Sequence, residues 1–299
     1  MALQLIAPRV HRVNIFNFVN AYCIENGEGD WVLLDTGVRP ALSIVKGAEK
    51  QMGRPPAAIV LTHGHFDHAG CAGQLAQQWN IKVFVGRLEK PFLTGESSYP
   101  PPDPTVGGSL AMMSRAFPSH TVDFSDVLEL LPANGKLDFL KGWRIIETPG
   151  HSPGHVSLWH EDDRTLLAGD AFCTADMDSL LGMMTLKPTQ FARGGSPFVP
   201  DWEQMKHSLG VLADLEPVTV GAGHGLPMSG GEVPGFLRDF YHGFTPPVHG
   251  RYVGTPAQTD ESGVTFLPPA PPDPLPRNAA IGAAVGAAAF AILGRTRKG

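Results

Sequence analysis

Apolar and polar positions alternate in short runs through the first third of the chain, a pattern that is typical of β-strands. The runs VNAYCIE and WVLLDTG are two such segments, and the turn signal Asn26-Gly27 separates them. The segment PALSIVKGAEKQMG has a helical pattern that ends at Gly53. The pattern therefore predicts a pair of strands followed by a helix.

The next elements follow in the order strand, loop, helix and strand. The run AAIVLT is short, apolar and partly β-branched, which predicts a buried strand. The run AGCAGQLAQQW predicts the following helix, and IKVFVG predicts another strand. This order is typical of folds that mix α and β structure, in which functional sites gather at strand ends.

Residues 90–125 interrupt this pattern. The stretch SSYPPPDPTVGG cannot form a regular element, and SLAMMSRAF after it predicts a short helix. Surface insertions and pocket lids share such a composition. The segment is therefore either an insertion or a lid that shapes a substrate pocket.

Strand-like runs return after residue 125. The segments VLELLPANGKLDFLKGWRIIETPG and VSLWHEDDRTLLAGD each predict two strands paired across a polar turn. The segment PDWEQMKHSLGVLADL predicts a helix with Pro200-Asp201 at its start, and PVTVGAG predicts a final buried strand. These elements complete one predicted domain over residues 1–265.

The character of the chain changes at its end. Residues 266–278 read as a Pro-rich linker, and residues 279–299 as a tail rich in Ala and Gly. The uncharged run 279–294 would span about 24 Å as a helix, which is short of a bilayer core of about 30 Å. The GxxxG spacing occurs in membrane helices and is also common in Ala/Gly tracts, whereas the linker and the basic residues that follow favour a membrane anchor. The tail is therefore either a membrane anchor or a segment that is packed on the surface or without fixed structure.

Composition excludes some classes of function. The net charge of −6 gives no basic field for nucleic acid, so no nucleic-acid partner is expected. Three cysteines without a CxxC spacing indicate a reducing compartment rather than a disulfide framework. The N-terminal segment has no long apolar run, so a cytoplasmic protein is expected, with membrane association through the tail.

The stretch VLTHGHFDHAG concentrates candidate metal ligands directly after a predicted buried strand. His63, His65, Asp67 and His68 form an H-x-H-x-D-H pattern. Imidazole and carboxylate together suit zinc, and also iron or manganese. A turn from strand to helix can aim two of these side chains to one side and two to the other, which suits two metals.

Further candidate ligands lie in the same position relative to other strands. His151 and His155 follow the run WRIIE in TPGHSPGH, Asp170 ends the run LLAGD, and His224 follows TVGAG. Neighbouring glycines allow the backbone to approach a site closely. These residues extend the predicted metal site beyond one loop.

In chain order, the motifs LLDTG, THGHFDH, TPGHSPGH, AGD and GAGHG resemble those of the metallo-β-lactamase superfamily over roughly residues 5–245. The resemblance implies an α+β fold, a four-layer αββα sandwich with metals at one edge. Two zinc ions per chain are implied, with iron or manganese as alternatives. The first would be bound by His63, His65 and His151 and the second by Asp67, His68 and His224, with Asp170 bridging them.

The resemblance also implies roles outside the ligand set. Asp35 matches an aspartate that supports the site from behind the ligands. Asp67 would fix a bridging hydroxide and move its proton. His155 matches no ligand, so it either orients its loop, touches substrate or is structural. Cys173 is expected to line the pocket wall without a catalytic role.

The implied activity is hydrolysis of an ester, thioester or lactone of a small molecule by a metal-bridging hydroxide. Thioesterases of the glyoxalase II type share the seven ligands, and lactonases share HFDHAG, but each type fits only in part. A mononuclear iron persulfide dioxygenase, with His63, His151 and Asp170 as ligands, is an alternative. A tail-anchored binding protein without turnover is another. The oligomeric state is not predicted.

Overall fold

The computed structural model describes residues 3–117 and 123–273. Within these ranges the chain forms fourteen strands and eight α-helices, joined by short 3₁₀ turns. The strands form one sheet of seven, one sheet of five and a separate two-stranded hairpin. The predicted tail at 279–299 and the end of the predicted linker lie outside the described residues.

The seven-stranded sheet is built from the N-terminal half in simple chain order. Its first four strands are antiparallel, and β4 to β7 run parallel to one another. The strands are β1 (Gln4–Ala7), β2 (Val10–Ile15), β3 (Val19–Glu25), β4 (Trp31–Leu34), β5 (Ala58–Val60), β6 (Val83–Val85) and β7 (Leu128–Leu130).

The five-stranded sheet comes from the C-terminal half, in the order β12-β11-β10-β9-β8. Strands β10 and β11 are parallel, and their neighbours are antiparallel. The strands are β8 (Trp143–Glu147), β9 (Val156–His160), β10 (Thr165–Gly169), β11 (Thr219–Ala222) and β12 (Met228–Ser229). The separate hairpin pairs β13 (Gln258–Asp260) with β14 (Gly263–Phe266).

The α-helices lie between the strands along the chain. They are α1 (Leu42–Met52), α2 (Phe66–Ala69), α3 (Ala72–Trp79), α4 (Lys90–Leu93), α5 (Ser109–Met113), α6 (Leu180–Thr185), α7 (Trp202–Asp214) and α8 (Val233–Gly243). Of these, α1, α3, α7 and α8 pack on the outer faces of the two sheets. Helix α1 ends at Gly53, which has φ +82, and the Asp201 side chain caps α7 by accepting a hydrogen bond from the Gln204 N–H. Both helix ends predicted from the sequence are confirmed.

Three apolar clusters explain the layering. One buries side chains of β2 to β6 against α1 and α3, and a second buries β10 and β11 against α7 and α8. The third lies between the two sheets, where Ile24 and Val60 of one sheet meet Leu158 and Leu167 of the other. The arrangement is helix, sheet, sheet, helix, so the predicted αββα sandwich is confirmed.

Two features of the C-terminal half differ from the sequence reading. The strands predicted as a pair over residues 127–150 lie in different sheets, because β7 pairs with β6 and β8 pairs with β9. The pair predicted over residues 156–170 is confirmed as β9 and β10. Helix α8 and the β13–β14 hairpin were not predicted.

Residues 90–117 pack against the end of the described chain. Tyr252 donates a hydrogen bond from its hydroxyl to the carbonyl of Pro101, and the Asp103 carboxylate accepts one from the Arg251 N–H. Arg115 pairs with Asp273 at 2.7 Å. Among the described residues, no helix is long and apolar enough to cross a bilayer.

Candidate metal centre

All seven predicted ligands lie where strands end at one edge of the sandwich. His63 and His65 lie between β5 and α2, and Asp67 and His68 lie in α2. The other three follow strands of the second sheet, His151 after β8, Asp170 after β10 and His224 after β11. Both sheets therefore contribute donor groups to one place, as the strand-end pattern predicted.

The first group of three histidines brings together nitrogen atoms from two loops. His65 Nδ1 lies 3.1 Å from His63 Nε2 and 3.0 Å from His151 Nε2. One donor atom from each of the three histidines lies within 4.8 Å of the other two, which is close enough for the three to bind one metal ion. Three converging imidazole nitrogens suit a transition metal.

The second group consists of Asp67, His68 and His224. Its donor atoms also lie within 4.8 Å of one another, and Asp67 Oδ2 is 3.4 Å from His224 Nε2. Imidazole and carboxylate together again suit a divalent metal. These two groups contain the residues of the two ligand sets that the resemblance implied, and a third group, His63, His68 and Asp170, overlaps both.

Asp170 lies between the two groups. Its Oδ2 is 3.5 Å from His151 Nε2, 3.4 Å from His68 Nε2 and 3.3 Å from His224 Nε2. Asp170 Oδ1 and His68 Nε2 are buried and have no hydrogen-bond partner among the described residues. Buried polar atoms without partners are costly, so the site fits a bound cation that these atoms would coordinate.

In four of the candidate histidine ligands, the ring nitrogen Nδ1 makes a hydrogen bond within the protein. The Nδ1 of His151 lies 2.6 Å from the Gly194 carbonyl and that of His224 lies 2.7 Å from the Phe18 carbonyl. A carbonyl can only accept, so each Nδ1 carries a proton and donates it, which turns each Nε2 towards the site. Hydrogen bonds of this kind orient metal-binding histidines.

Asp35 fixes the other two of these four histidines. It accepts hydrogen bonds from the N–H and O–H of Thr62, both at 2.8 Å, and from His68 Nδ1 at 2.9 Å. Thr62 Oγ1 in turn accepts from His63 Nδ1 at 3.0 Å. Asp35 has φ +60, a strained value for a residue with a side chain. Its position behind the ligands agrees with the role that the resemblance implied.

Burial and neighbouring charges shift the pKa values of the histidines of the site in opposite directions. Burial lowers the pKa of His65 to about 4 and that of His151 to about 3. Burial also opposes the charged form of His224, but Asp170 and Asp67 raise its pKa to about 10. Burial likewise opposes ionisation of Asp67, but His68 and His224 lower its pKa to about 2. The carboxylates are therefore ionised, and the site attracts positive charge.

His155 is behind Asp170 rather than in the pocket. The Asp170 N–H donates to its Nε2 at 2.9 Å, so Nδ1 carries the proton and donates to Thr148 Oγ1 at 2.8 Å. Thr148 is bonded to Ser157, which donates to the Ala168 carbonyl. Of the roles left open by the sequence, orientation of the ligand loop fits this network.

Cys173 is not on the pocket wall. Its side chain is fully buried in an apolar cluster with Ala175 and Leu186, behind the wall residues Leu110 and Met177. Its backbone pairs with that of Ala192. The expectation that it lines the pocket was wrong, because the chain turns inward after Asp170.

Glu89 is a residue that the sequence reading missed. This carboxylate is completely buried and accepts hydrogen bonds from four groups, the N–H of Gly64, the O–H of Tyr99, the O–H of Ser152 and the N–H of Gly154. It thus joins both histidine loops to the segment 90–117. The only sequence signal was an acidic residue directly before an interrupted pattern.

A cavity of about 550 Å³ opens onto the ligands. His65, Asp67, His151, Asp170 and His224 form its floor. Much of the wall is apolar and comes from residues within the predicted lid segment, namely Phe92, Tyr99, Pro100, Pro101, Pro102, Leu110 and Phe117. This placement supports the lid interpretation of that segment over a simple insertion.

Comparison with known proteins agrees with this geometry. A family model described as the metallo-beta-lactamase superfamily matches residues 14–224. The chain therefore belongs to the metallo-β-lactamase superfamily. It is 37% identical to the probable metallo-hydrolase YflN of Bacillus subtilis, over 75% of this chain and 86% of that protein.

Solved structures show the same fold. The archaeal superfamily protein ST1585 from Sulfolobus tokodaii aligns with a TM-score of 0.54 at 22% identity, covering 78% of this chain and 84% of that one. TTHA1623 in a di-iron-bound form aligns with a TM-score of 0.51 at 26% identity, covering 78% of this chain and 96% of that one. The di-iron-bound form of TTHA1623 thus shows that a protein of this fold binds two iron ions.

Proposed function

We propose that this protein is a dinuclear metal-dependent hydrolase that cleaves an ester, thioester or lactone of a small molecule. The observation that carries the proposal is the position of Asp170, whose Oδ2 lies within 3.5 Å of histidine nitrogens from both ligand groups. A carboxylate in this position can serve two ions at once. The similarity to a probable metallo-hydrolase supports a hydrolytic reaction.

The ligand assignment is the one that the resemblance implies, and the proximity of the donor atoms is compatible with it. His63, His65 and His151 would hold the first ion, and Asp67, His68 and His224 the second, with Asp170 shared. Zinc suits this set of imidazoles and carboxylates, and iron or manganese can replace it. When bound, two such ions supply an activated water at neutral pH and a Lewis acid for a carbonyl oxygen.

The protein's own groups supply the proton transfer. Asp67 lies on the cavity floor and is ionised, because His68 and His224 hold its pKa near 2 despite burial. Its carboxylate can therefore accept a hydrogen bond from the attacking water and orient it. No side-chain nucleophile is required, and Cys173, with a thiol pKa raised by burial, is not exposed to the cavity.

The cavity wall defines the substrate only broadly. Phe18, Phe66, Phe117 and Phe198 surround the ligands together with the proline run, so the wall is largely apolar. An apolar wall favours a substrate with an apolar acyl or leaving group beside the reacting carbonyl. The lid segment would select that group, since it supplies much of the wall.

The test begins with elemental analysis of the purified protein, followed by assays on panels of esters, thioesters and lactones. Two zinc ions per chain and turnover of one panel are expected. Asp67→Ala should abolish that turnover, whereas Asp138→Ala, at an exposed position, should not change it. Full activity of Asp67→Ala would show that its assigned role is wrong.

The same metal analysis and assays distinguish the hydrolase from a persulfide dioxygenase and from a binding protein. One iron ion per chain, with oxygen-dependent consumption of a persulfide, would replace the hydrolase by the persulfide dioxygenase. Bound metal with no turnover of any panel or of persulfide would favour a binding protein.

A further inference from the structure

Helices α5 and α6 expose a cluster of large apolar side chains. Met112, Met113, Leu180, Leu181 and Met184 are between 41% and 73% exposed, and we call these five residues the α5–α6 patch. They make up five of the eleven large apolar side chains that are exposed among the described residues. Single exposed apolar side chains are ordinary, but a cluster on a soluble surface indicates an interaction site.

Helix α5 and the region around α6 contact each other, so their exposed apolar side chains belong to neighbouring elements. Leu110 of α5 packs in a buried cluster with Met177, Leu186 and the partly buried Met183 around α6. The N–H of Ser109, at the start of α5, donates to the carbonyl of Asp178 at 2.7 Å. The inward sides of both helices are therefore packed, and their remaining apolar side chains face outward together.

The patch lies close in sequence to part of the cavity wall. Leu110 and Met177 line the cavity, and they lie two and three positions from the exposed Met112 and Leu180. The patch and this part of the wall therefore belong to the same two stretches of chain.

The described chain also ends beside this surface. Arg115 follows α5 directly, and it pairs with Asp273, the last described residue. The sequence beyond that point contains the uncharged run 279–294 and a basic end. The last described residue thus lies close to α5, and the sequence after it includes this uncharged run.

We propose that the α5–α6 patch docks on a phospholipid bilayer surface. Leucine and methionine side chains on short helices are suited to shallow insertion at the boundary between headgroups and acyl chains. Lys187, exposed directly after α6, supplies a cation for a lipid phosphate. The proposal does not depend on the hydrolytic activity, because it concerns the surface and not the reaction.

A site-specific fluorophore tests the contact in the full-length protein. Cys23, Cys71 and Cys173 are all buried, so a cysteine introduced by Leu181→Cys can be labelled selectively with a polarity-sensitive dye. Phe236→Cys on α8, where the native side chain is 51% exposed, is the matched control. Vesicles of phosphatidylcholine should shift the emission of the dye to the blue at position 181 and leave it unchanged at position 236.

A second experiment measures binding directly. Replacing Leu180, Leu181 and Met184 together by serine should lower the partition of the full chain onto these vesicles about tenfold or more. Salt should have little effect, because burial of apolar surface drives the contact. Phe236→Ser should bind as the unchanged protein does.

Several results would overturn the proposal. The dye at position 181 could show no shift, or the triple variant could bind vesicles as strongly as the unchanged chain, and either result would mean that the patch does not touch lipid. Equal shifts at positions 181 and 236 would mean non-specific adsorption. A dimer in lipid-free solution that the triple substitution dissociates would mean that a second copy of the chain covers this surface.

Discussion

The backbone N–H of Asp170 donates a hydrogen bond to Nε2 of His155, at 2.9 Å. The acceptor is held by a chain of side chains in which His155 donates to Thr148, Thr148 to Ser157 and Ser157 to the Ala168 carbonyl. His155 must stay neutral for this network of hydrogen bonds to form, because a protonated ring cannot accept at Nε2. The position of the central carboxylate is therefore linked to the protonation of a residue that is not a ligand.

The pH dependence of stability should reveal this link. Burial, with a smaller contribution from His151, lowers the pKa of His155 to about 3 from an ordinary value of 6.5. Between these values the unfolded chain takes up a proton that the folded chain refuses, so stability falls as the pH drops. The slope is up to about 1.4 kcal/mol per pH unit for one group.

Denaturant unfolding of the metal-free protein measures this contribution. His155→Gln keeps an acceptor for the Asp170 N–H and removes the titration, so its stability should fall less steeply than that of the unchanged protein below about pH 6.5. His207→Gln, at an exposed position of α7, is the control. Identical slopes for all three proteins would contradict the proposed link.

Replacing Asp35 should weaken metal binding rather than unfold the protein. Asp35→Asn places an amide where the carboxylate now accepts from Thr62 and His68, so the His68 ring loses part of its orientation. Loss of such an orienting group typically costs about tenfold to a hundredfold in metal affinity. Competition with a chromophoric chelator measures the change, and the exposed Asp30→Asn should match the unchanged protein. An unaltered affinity in Asp35→Asn would mean that His68 is held by its packing alone.

Glu89 should be a major determinant of stability at the site. Burial raises the pKa of this carboxyl group, and the four donated hydrogen bonds oppose the rise. Glu89→Gln would set its N–H₂ against one backbone N–H, which can only donate, and one hydroxyl, which would have to turn in order to accept, and this should lower the free energy of unfolding by about 3 kcal/mol. Chemical denaturation should show this loss, while Glu203→Gln on the exposed side of α7 should change little. A loss below about 0.5 kcal/mol would show that the loops do not rely on Glu89.

Removal of metal should lower the thermal midpoint. A bound ion stabilises the folded state by about 2.7 kcal/mol when its concentration is a hundred times its dissociation constant. For a chain of this size that is a shift of about 4 °C for each ion. Differential scanning calorimetry before and after chelation, and again after zinc is restored, measures it. An unchanged midpoint would mean that the seven groups hold no ion in the folded protein.

Local spacing made much of the candidate site predictable. His63, His65, Asp67 and His68 lie in one loop and the short helix after it, so their proximity is fixed by sequence distance. His151, Asp170 and His224 could be added because each follows a buried strand, and strand ends meet at one edge of a sheet. Their roles as ligands stay a prediction, but the structure brings all seven together.

The remaining features depend on contacts between distant segments. The polarity of residues 127–150 is the same whether its two strands pair with each other or lie in different sheets, so periodicity could not separate β7 from β8. Glu89 finds its donors in loops that are far away in the chain, and no local pattern marks them. Cys173 was misplaced because the direction of the chain after Asp170 is set by packing against Ala192.

The split of the ligands between the two halves of the chain has a consequence for biosynthesis. A growing chain presents the HGHFDH loop first, and His224 leaves the ribosome only after the seven-stranded sheet and four of the five strands of the second sheet have been made. Until then the early histidines lack Asp170 and His224. The complete ligand set that we propose therefore exists only at the last stage of folding, when the second sheet closes on the first.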